Sequence, residues 1–125
     1  MAEGFLRDFA GDIFDVFSAG VSPASVNPYA VRVMSETGID ISHQKSKSTG
    51  DFKDIHFDYV ITVRDNARQS CPLFPGEYRK IHWDIKDPAG AKGSAEEIMD
   101  IFRSSRDRVK KEIEKFIVSA RQDQI

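Results

Sequence analysis

Hydrophobic residues recur every three or four positions at the start of the chain. Ala2, Phe5, Leu6 and Phe9 follow this spacing, with polar residues between them. That period is typical of an amphipathic helix, and Gly11 indicates where the helix ends. No capping residue precedes the segment, so the sequence predicts a helix that opens without a side-chain cap.

The same helical period returns over a longer stretch near the other end of the chain. Ser94 and Glu97 have the spacing of a capping box, in which each side chain bonds the backbone N–H of the other residue. The apolar residues that follow at this period are Ile98, Ile101, Phe102, Val109, Ile113, Phe116 and Ile117. This stripe predicts a single helix of about six turns. We expect residues 121–125 to fray beyond it.

A third helix is predicted between these two from the signals at its ends. Asn27 followed by Pro28 is a strong helix start, with asparagine as the cap and proline in the first turn. Val31 and Met34 lie on one face, and Gly38 fits a left-handed end.

Three short runs, residues 14–17, 59–63 and 79–83, predict strands. The run at 59–63 is apolar and β-branched enough for a strand buried on both faces of a parallel sheet. The alternation of helices and strands predicts an α/β fold, in which a parallel sheet is flanked by helices on both faces. Such sheets bind ligands at the carboxyl ends of their strands, so chemistry is expected directly after these runs.

Composition and charge narrow the class of protein. With 125 residues, of which 40% are hydrophobic and 30% charged, we expect one domain over residues 1–125. A net charge of −2 without a basic stripe argues against a general nucleic-acid binder. The single cysteine cannot form an internal disulfide. Neither a signal peptide nor a membrane-spanning run is found, so the expected location is the cytoplasm.

Two residues after predicted strands are candidates for chemistry. Asp87 precedes Pro88 on a turn, where a rigidly held carboxyl group could act as a general acid. An ordinary Asp-Pro turn is the alternative. Cys71 lies in a loop and could be a redox thiol. Because it has no partner cysteine, an unreactive cysteine beneath the loop is the alternative.

Other polar residues give weaker signals. Glu3 and Ser18 could be polar supports near the active end of the sheet, although Glu3 could equally complement the helix dipole in the first turn. The basic, hydroxyl-rich residues 45–49 could contact an anion or form a solvated loop. The histidines lack metal-ligand spacing and there is no glycine-rich phosphate loop, so neither a metal nor a cofactor is predicted.

A set of short segments spread over the whole chain has a recognisable order and spacing. The segments are Met1-Ala2-Glu3-Gly4, Ser18-Ala19-Gly20, Val26-Asn27-Pro28, Gly38-Ile39-Asp40-Ile41-Ser42, Phe57-Asp58-Tyr59-Val60-Ile61-Thr62-Val63, Asp65-Asn66-Ala67, Cys71-Pro72, His82-Trp83 and Asp87-Pro88-Ala89. Together they resemble the thioredoxin-coupled arsenate reductases, a family that shares the low-molecular-weight protein tyrosine phosphatase fold.

The resemblance implies a thiol-based reduction of arsenate to arsenite. In the family, a nucleophilic cysteine in a C-x5-R loop binds and attacks the oxyanion. The aspartate that matches Asp87 assists loss of an oxygen. A second cysteine then releases arsenite, and a third, matching Cys71, attacks the second. Thioredoxin reduces the final disulfide. The implied partners are therefore arsenate or a phosphate-like oxyanion, and thioredoxin.

Two departures from the family pattern bear on activity. The first strand and the C-x5-R loop are absent from the 125 residues, which predicts a chain truncated at its N-terminus with an empty strand position in the sheet. The position of the second cysteine is Arg64, which cannot act as a thiol nucleophile. We therefore expect an arsenate-reductase-like chain that is inactive as it stands. The alternatives are a low-molecular-weight phosphatase once the loop is restored, and a non-catalytic paralogue or binding module.

Overall fold

The structure, a computed structural model, describes residues 1–19, 27–44, 47–63, 74–86 and 88–123. The chain forms two compact units. The helical unit consists of Met1–Phe17, Val26–Gln44 and Asp87–Ile125, and the sheet unit consists of Ser18–Ser25 and Lys45–Lys86. Helices and a pair of parallel strands confirm the predicted α/β class. That residues 1–125 form one domain stays a prediction.

The first helix, α1 (Ala2–Ala10), begins at Met1 without a side-chain cap, as the sequence predicts. Phe5 is fully buried on its inner face. Gly4 lies on the same buried side, where an added Cβ would be only 2.7 Å from Cγ2 of Ile41. Helix α1 therefore approaches its neighbour too closely at this point to accommodate a side chain.

The prediction of a strand at residues 14–17 is wrong, because the backbone there is irregular. A strand forms where its backbone groups bond to a neighbouring strand. Here the carbonyl of Val16 instead accepts a hydrogen bond from the guanidinium of Arg7. Phe14 packs on Phe116, with 5.5 Å between ring centroids. The apolar run thus anchors this segment to the helical unit without giving it β structure.

Helix α2 (Pro28–Ser35) confirms both of its predicted end signals. Oδ1 of Asn27 accepts a hydrogen bond from the backbone N–H of Tyr29 at 2.9 Å. Gly38 has φ +82°, the left-handed conformation that favours glycine after a helix. These local signals set where α2 begins and where the chain turns away from it.

Helix α3 (Ala95–Asp123) confirms the long helix and its capping box. The N–H of Glu97 donates to Oγ of Ser94 at 3.1 Å, and the N–H of Ser94 donates to Oε1 of Glu97 at 3.4 Å. The placement of Ile101 in the buried stripe is wrong, since it is 42% exposed. It directly precedes a buried residue, and successive helical residues point about 100° apart. The buried residues of the stripe are Phe102, Val109, Ile113, Phe116 and Ile117.

The end of α3 also differs from the prediction. Residues predicted to fray remain helical as far as Asp123. Ala120 is only 1% exposed, so one face of the helix stays packed up to this residue, whereas Arg121 and Gln122 are exposed. Helix α3 packs against α1, α2 and the 3₁₀ turn Pro88–Gly90. One core cluster joins Val33 to Met99 and Phe102.

An ion-pair network at the surface of the helical unit joins the end of α2 to α3. Arg103 donates to both carboxylate oxygens of Glu36 at 2.9–3.2 Å, and Arg106 pairs with Glu36 at 2.7 Å. Arg103 also pairs with Glu96 and Asp100. Hydrogen bonds from Arg103 and then Arg106 hold the pKa of Glu36 below its ordinary value.

In the sheet unit, β1 (Tyr59–Thr62) and β2 (Arg79–His82) pair in parallel, with Ile61 opposite Ile81. Both predicted strands are confirmed. The prediction that β1 is buried on both faces is wrong, because its first three residues are only half-buried. An apolar, β-branched run indicates strand propensity as well as burial. Here the run forms a strand, but the strand is not buried on both faces.

An aromatic cluster packs the chain before β1 against the chain before β2. Phe57 lies edge-on to Phe52 and Phe74, with centroid distances of 6.3 and 5.1 Å. Phe74 also lies edge-on to Tyr78 at 6.1 Å. Such arrangements favour aromatic pairs beyond the area they bury. The cluster therefore holds residues 74–78 against the rest of the sheet unit.

Candidate functional site

The carboxyl ends of β1 and β2 meet at one edge of the sheet unit, because the strands are parallel and in register. At this edge, Oγ1 of Thr62 and Nδ1 of His82 are 2.7 Å apart. The N–H of Trp83 donates to the carbonyl of Thr62 at 2.8 Å. Since Thr62 is only 6% exposed, the hydroxyl–imidazole bond is largely shielded from water. The bond ties together the two strand ends after which chemistry is expected.

Three of the site residues predicted from the sequence follow this edge along the chain. Arg64 comes shortly after Thr62, Cys71 lies further along the same connection, and Asp87 follows β2. All three lie outside the described residues. The roles assigned to Asp87 and Cys71, and the reading of Arg64 as the replaced relay cysteine, therefore stay predictions.

Glu3 lies in the first turn of α1 and forms an ion pair with Arg7, with 3.1 Å between Oε2 and Nε. Its side chain is 13% exposed, whereas that of Arg7 is 54% exposed. The guanidinium of Arg7 also donates to the carbonyl of Val16. Within the helical unit, Glu3 thus orients the side chain that holds residues 14–17. A role for Glu3 at an oxyanion site stays a prediction.

Ser18 directly follows that segment, belongs to the sheet unit and is exposed. Its predicted role as a polar support stays a prediction. Of the basic run at residues 45–49, residues 45 and 46 lie outside the described residues. Lys47 is described, and its Nζ lies 5.7 Å from the ring centroid of Phe52. This charge is therefore placed over an aromatic face.

Two described histidines of the sheet unit bond to groups distant in sequence. Nε2 of His56 lies 2.9 Å from the carbonyl oxygen of Glu77, and His82 bonds Thr62. Within the described ranges, no group of three or more His, Cys, Asp or Glu side chains is placed to hold a metal ion. Nor does any helix in those ranges combine the length and apolar character needed to cross a bilayer.

The sequence patterns do not mark Arg7, Thr62 or His56, although each forms a specific contact. The ion pair of Arg7 could have been predicted, because Arg7 lies four residues after Glu3, a spacing that places opposite charges on one helix face. The contacts of Thr62 and His56 join residues 20 and 21 positions apart. No local pattern marks contacts of that range.

Comparison with protein families identifies the fold to which these elements belong. The model of the low molecular weight phosphotyrosine protein phosphatases matches residues 1–124. The chain belongs to this family. Membership confirms the fold family expected from the ordered segments of the sequence.

Relatives of this phosphatase-family chain include proteins named arsenate reductase. One from Halalkalibacterium halodurans is 41% identical over 116 residues, which span 93% of this chain and 84% of the relative. One from Bacillus subtilis is 37% identical, again over 93% of this chain and 84% of the relative. The predicted resemblance to arsenate reductases is confirmed.

Solved structures similar to this family member are arsenate reductases as well. One, in the oxidized state, has a TM-score of 0.80 and 29% identity, covering 94% of this chain and 86% of that chain. Another, in the phosphate binding state, has a TM-score of 0.74 and 30% identity with the same coverage. The likeness in backbone therefore extends over nearly the whole chain.

Proposed function

We propose that this chain forms the body of a thiol-dependent arsenate reductase that binds arsenate and reduces it to arsenite. The observation that carries the proposal is the 41% identity to the Halalkalibacterium halodurans arsenate reductase over 93% of this chain. The similar arsenate reductase in a phosphate binding state supports a tetrahedral oxyanion as the ligand. The cytoplasm is the proposed location.

Asp87 is the proposed general acid and Cys71 the proposed redox thiol. A carboxyl group can protonate the oxygen that leaves arsenic, and a loop thiol can exchange with a disulfide. Both residues follow, in sequence, the carboxyl ends of β1 and β2, the end at which parallel sheets bind ligands. Glu3 and Ser18 are proposed as polar supports, and the ion pair between Glu3 and Arg7 is compatible with that role.

The number of electrons that arsenate reduction requires limits what a chain with one cysteine can do alone. Reduction of arsenate takes two electrons, so two thiols become one disulfide while one oxygen leaves as water. The 125 residues contain one cysteine, Cys71, which supplies half of this requirement. We therefore expect a polypeptide of these 125 residues not to turn over arsenate unless a second thiol is provided. Thioredoxin is the proposed reductant of the resulting disulfide.

Arg64 occupies the position that the family resemblance assigns to the relay cysteine. A guanidinium stays protonated in proteins and cannot form or pass on a disulfide. A chain that keeps Arg64 would have to form its disulfide directly between the nucleophilic cysteine and Cys71, or use an external thiol. We propose that Arg64 interrupts the three-thiol relay.

The test is arsenate reduction coupled to thioredoxin and thioredoxin reductase. The proteins compared are the 125 residues, the same residues preceded by the first strand and C-x5-R loop of an arsenate reductase, and that extended chain with Arg64→Cys. We expect turnover only in the last. Adding Asp87→Asn to it should slow turnover by roughly 10²- to 10⁴-fold, the usual contribution of a general acid.

Either of two outcomes would contradict the proposal. Turnover by the 125 residues would show that Cys71 suffices with a thiol of thioredoxin, and would refute the proposed need for the cysteine of the C-x5-R loop. No turnover by the extended Arg64→Cys chain, when it is folded and binds inorganic phosphate, would refute the reductase assignment itself. The extended chain that keeps Arg64 is the matched control, because it differs from the repaired chain at one side chain.

A second candidate is hydrolysis of phosphate esters. The family match favours it, and so does Arg64, because hydrolysis needs the C-x5-R loop and an acid but no relay thiol. Turnover of an aryl phosphate by the extended chain that keeps Arg64, without thioredoxin, would support this candidate. If that chain binds phosphate but carries out neither reaction, a non-catalytic binding role is the remaining function.

A further inference from the structure

Residues 12–17 face α3 on one side and solvent on the other. Phe14 and Val16 are half-buried, and Phe14 stacks on Phe116 of α3 with 5.5 Å between ring centroids. The exposed residues of this stretch are Asp12, Ile13, Asp15 and Phe17. The outer side of the stretch therefore presents two carboxylates beside apolar surface.

The two carboxylates are not neutralised by a neighbouring cation. Arg7 is the basic residue nearest to them in sequence, but its guanidinium pairs with Glu3 and donates to the carbonyl of Val16. Within the described residues, no ion pair joins Asp12 or Asp15 to a basic side chain. We call residues 12–17 the acidic segment, because their surface carries uncompensated negative charge.

A ridge of opposite charge runs along α3. Arg108, Lys111 and Lys115 are exposed and recur at spacings of three and four, so they share one helix face. Lys115 lies 3.9 Å from Glu112, and no acid of the described chain forms an ion pair with Arg108 or Lys111. We call these three cations the basic ridge. Val118, about one turn beyond Lys115, is 59% exposed and adds an aliphatic side chain to the same face.

The acidic segment lies beside the basic ridge on the helical unit. The segment is anchored to Phe116, at one border of the buried face of α3. At about 100° per residue, Arg108 and Lys115 point roughly 80–100° round the helix from Phe116, and Arg106 points about as far the other way. Arg106 bonds the end of α2. The basic ridge therefore lies on the side of α3 that faces away from α2 and adjoins the segment.

Two adjacent surfaces of opposite charge make the helical unit complementary to a second copy of itself. We propose that two copies of this chain pair through them, with Ile13 and Val118 in apolar contact between the charged groups. In a two-fold dimer each contact occurs twice, so the acidic segment of each copy meets the basic ridge of its partner. A nucleic acid or an anionic membrane brought against the ridge would be repelled by the acidic segment, which favours a second copy.

Sedimentation velocity of the full chain, from low micromolar to near-millimolar concentration, tests this pairing. A reductant in the buffer keeps Cys71 from linking two copies covalently. The chain should pass from monomer to dimer as its concentration rises. Asp12→Lys with Asp15→Lys, or Lys111→Glu with Lys115→Glu, brings like charges together in both contacts. Each double variant should raise the dimer dissociation constant roughly 10- to 100-fold.

Mixing the two double variants gives the sharper result. One variant is basic on both surfaces and the other is acidic on both, so a dimer with one copy of each regains two complementary contacts. The mixture should therefore associate about as tightly as the wild type, although neither variant does so alone. A chain that carries all four substitutions should also dimerise, because its two charged surfaces are exchanged.

Salt and a matched variant separate this contact from other causes of association. Exposed ion pairs are screened by salt, so the wild-type dimer should dissociate as NaCl is raised. Lys53→Glu with Lys80→Glu alters the net charge as the basic-ridge variant does, but on exposed positions of the sheet unit. This control should dimerise like the wild type. Thermal melts followed by circular dichroism check that each variant is folded.

Several results would overturn the proposal. These are a wild-type chain that stays monomeric at every concentration, a dimer that salt does not weaken, and double variants that dimerise as the wild type does. Failure of the two folded double variants to associate with each other would refute the assigned contact. The measurement contains neither arsenate nor thioredoxin, so its outcome is independent of whether the proposed reductase activity is found.

Discussion

Thr62 and His82 face each other at the last paired position of the parallel strands, with 2.7 Å between Oγ1 and Nδ1. Backbone hydrogen bonds hold the strands together along their length. A side-chain bond at the last paired position also fixes the point at which each strand leaves the sheet. In sequence, Arg64 follows β1 and Asp87 follows β2. The pair therefore joins the two strands at the end after which the candidate catalytic residues follow in sequence.

Removing the hydroxyl of Thr62 should weaken the sheet unit. Thr62→Val keeps the branched shape but removes the hydroxyl that bonds Nδ1 of His82, at a residue that is only 6% exposed. We expect a loss of about 1–2 kcal/mol in the free energy of unfolding, measured with urea. Thr62→Ser retains the hydroxyl and should lose less. A valine variant as stable as the wild type would show that the bond adds nothing.

Gly4→Ala should destabilise the helical unit even though it improves helix propensity. Alanine gains about 1 kcal/mol over glycine in a helix, but its Cβ would lie 2.7 Å from Cγ2 of Ile41. Ile41 is 1% exposed and β-branched, so it has little freedom to move. Overpacking of this kind costs about 1–3 kcal/mol, and we expect the unfolding midpoint in urea to fall.

The matched control for Gly4 is Gly90→Ala. A Cβ at Gly90 would meet nothing within 4 Å, so its substitution should leave the midpoint nearly unchanged. If Gly4→Ala instead stabilises the chain, then Ile41 yields, and the close approach of α1 is not a constraint.

Ser94→Ala should lower the stability of the helical unit through the start of α3. The substitution removes the Oγ that accepts from the N–H of Glu97, and a lost cap costs about 1 kcal/mol. Ser104→Ala, on the exposed surface in the middle of the same helix, is the control and should be neutral or slightly stabilising. Thermal unfolding followed by far-UV circular dichroism distinguishes the two.

Glu36 should contribute stability that depends on pH. Hydrogen bonds from Arg103 and Arg106 lower the pKa of its carboxyl group. The contribution is therefore complete above the ordinary glutamate pKa and is lost as pH falls through the lowered folded-state pKa. Glu36→Gln should unfold earlier in urea at pH 7, and this difference should shrink in acid. Because the network is exposed, high salt should also reduce it, and a difference independent of pH would contradict the assignment.

The elements that the sequence predicts correctly are those with local signals. Asn27 and Ser94 cap the helices that they were expected to start, since a cap is a contact within one turn. Residues 14–17 have strand-like composition, but a strand depends on a partner elsewhere in the chain. Ile101 fits the helical period, yet it lies at the border of the buried face.

The candidate site was predictable in a different way. The local sequence around Asp87 and Cys71 is compatible with either a chemical role or ordinary structure, and only the ordered resemblance to the family assigns them roles. The significance of Arg64 depends wholly on that resemblance, because nothing local distinguishes it from any surface arginine. Contacts such as that of His56 with Glu77 require the folded chain, since they join residues 21 positions apart.

The helical unit is built from three separate stretches of sequence, and this affects the order in which the chain can fold during synthesis. Residues 45–86 of the sheet unit are contiguous, so β1 and β2 can pair as soon as both have been synthesised. Val33 meets its core partners Met99 and Phe102 only when α3 emerges. Because chains leave the ribosome N-terminus first, the parts of α1 and α2 that pack against α3 stay exposed until α3 has been synthesised. This is the interval in which a nascent chain most needs a chaperone.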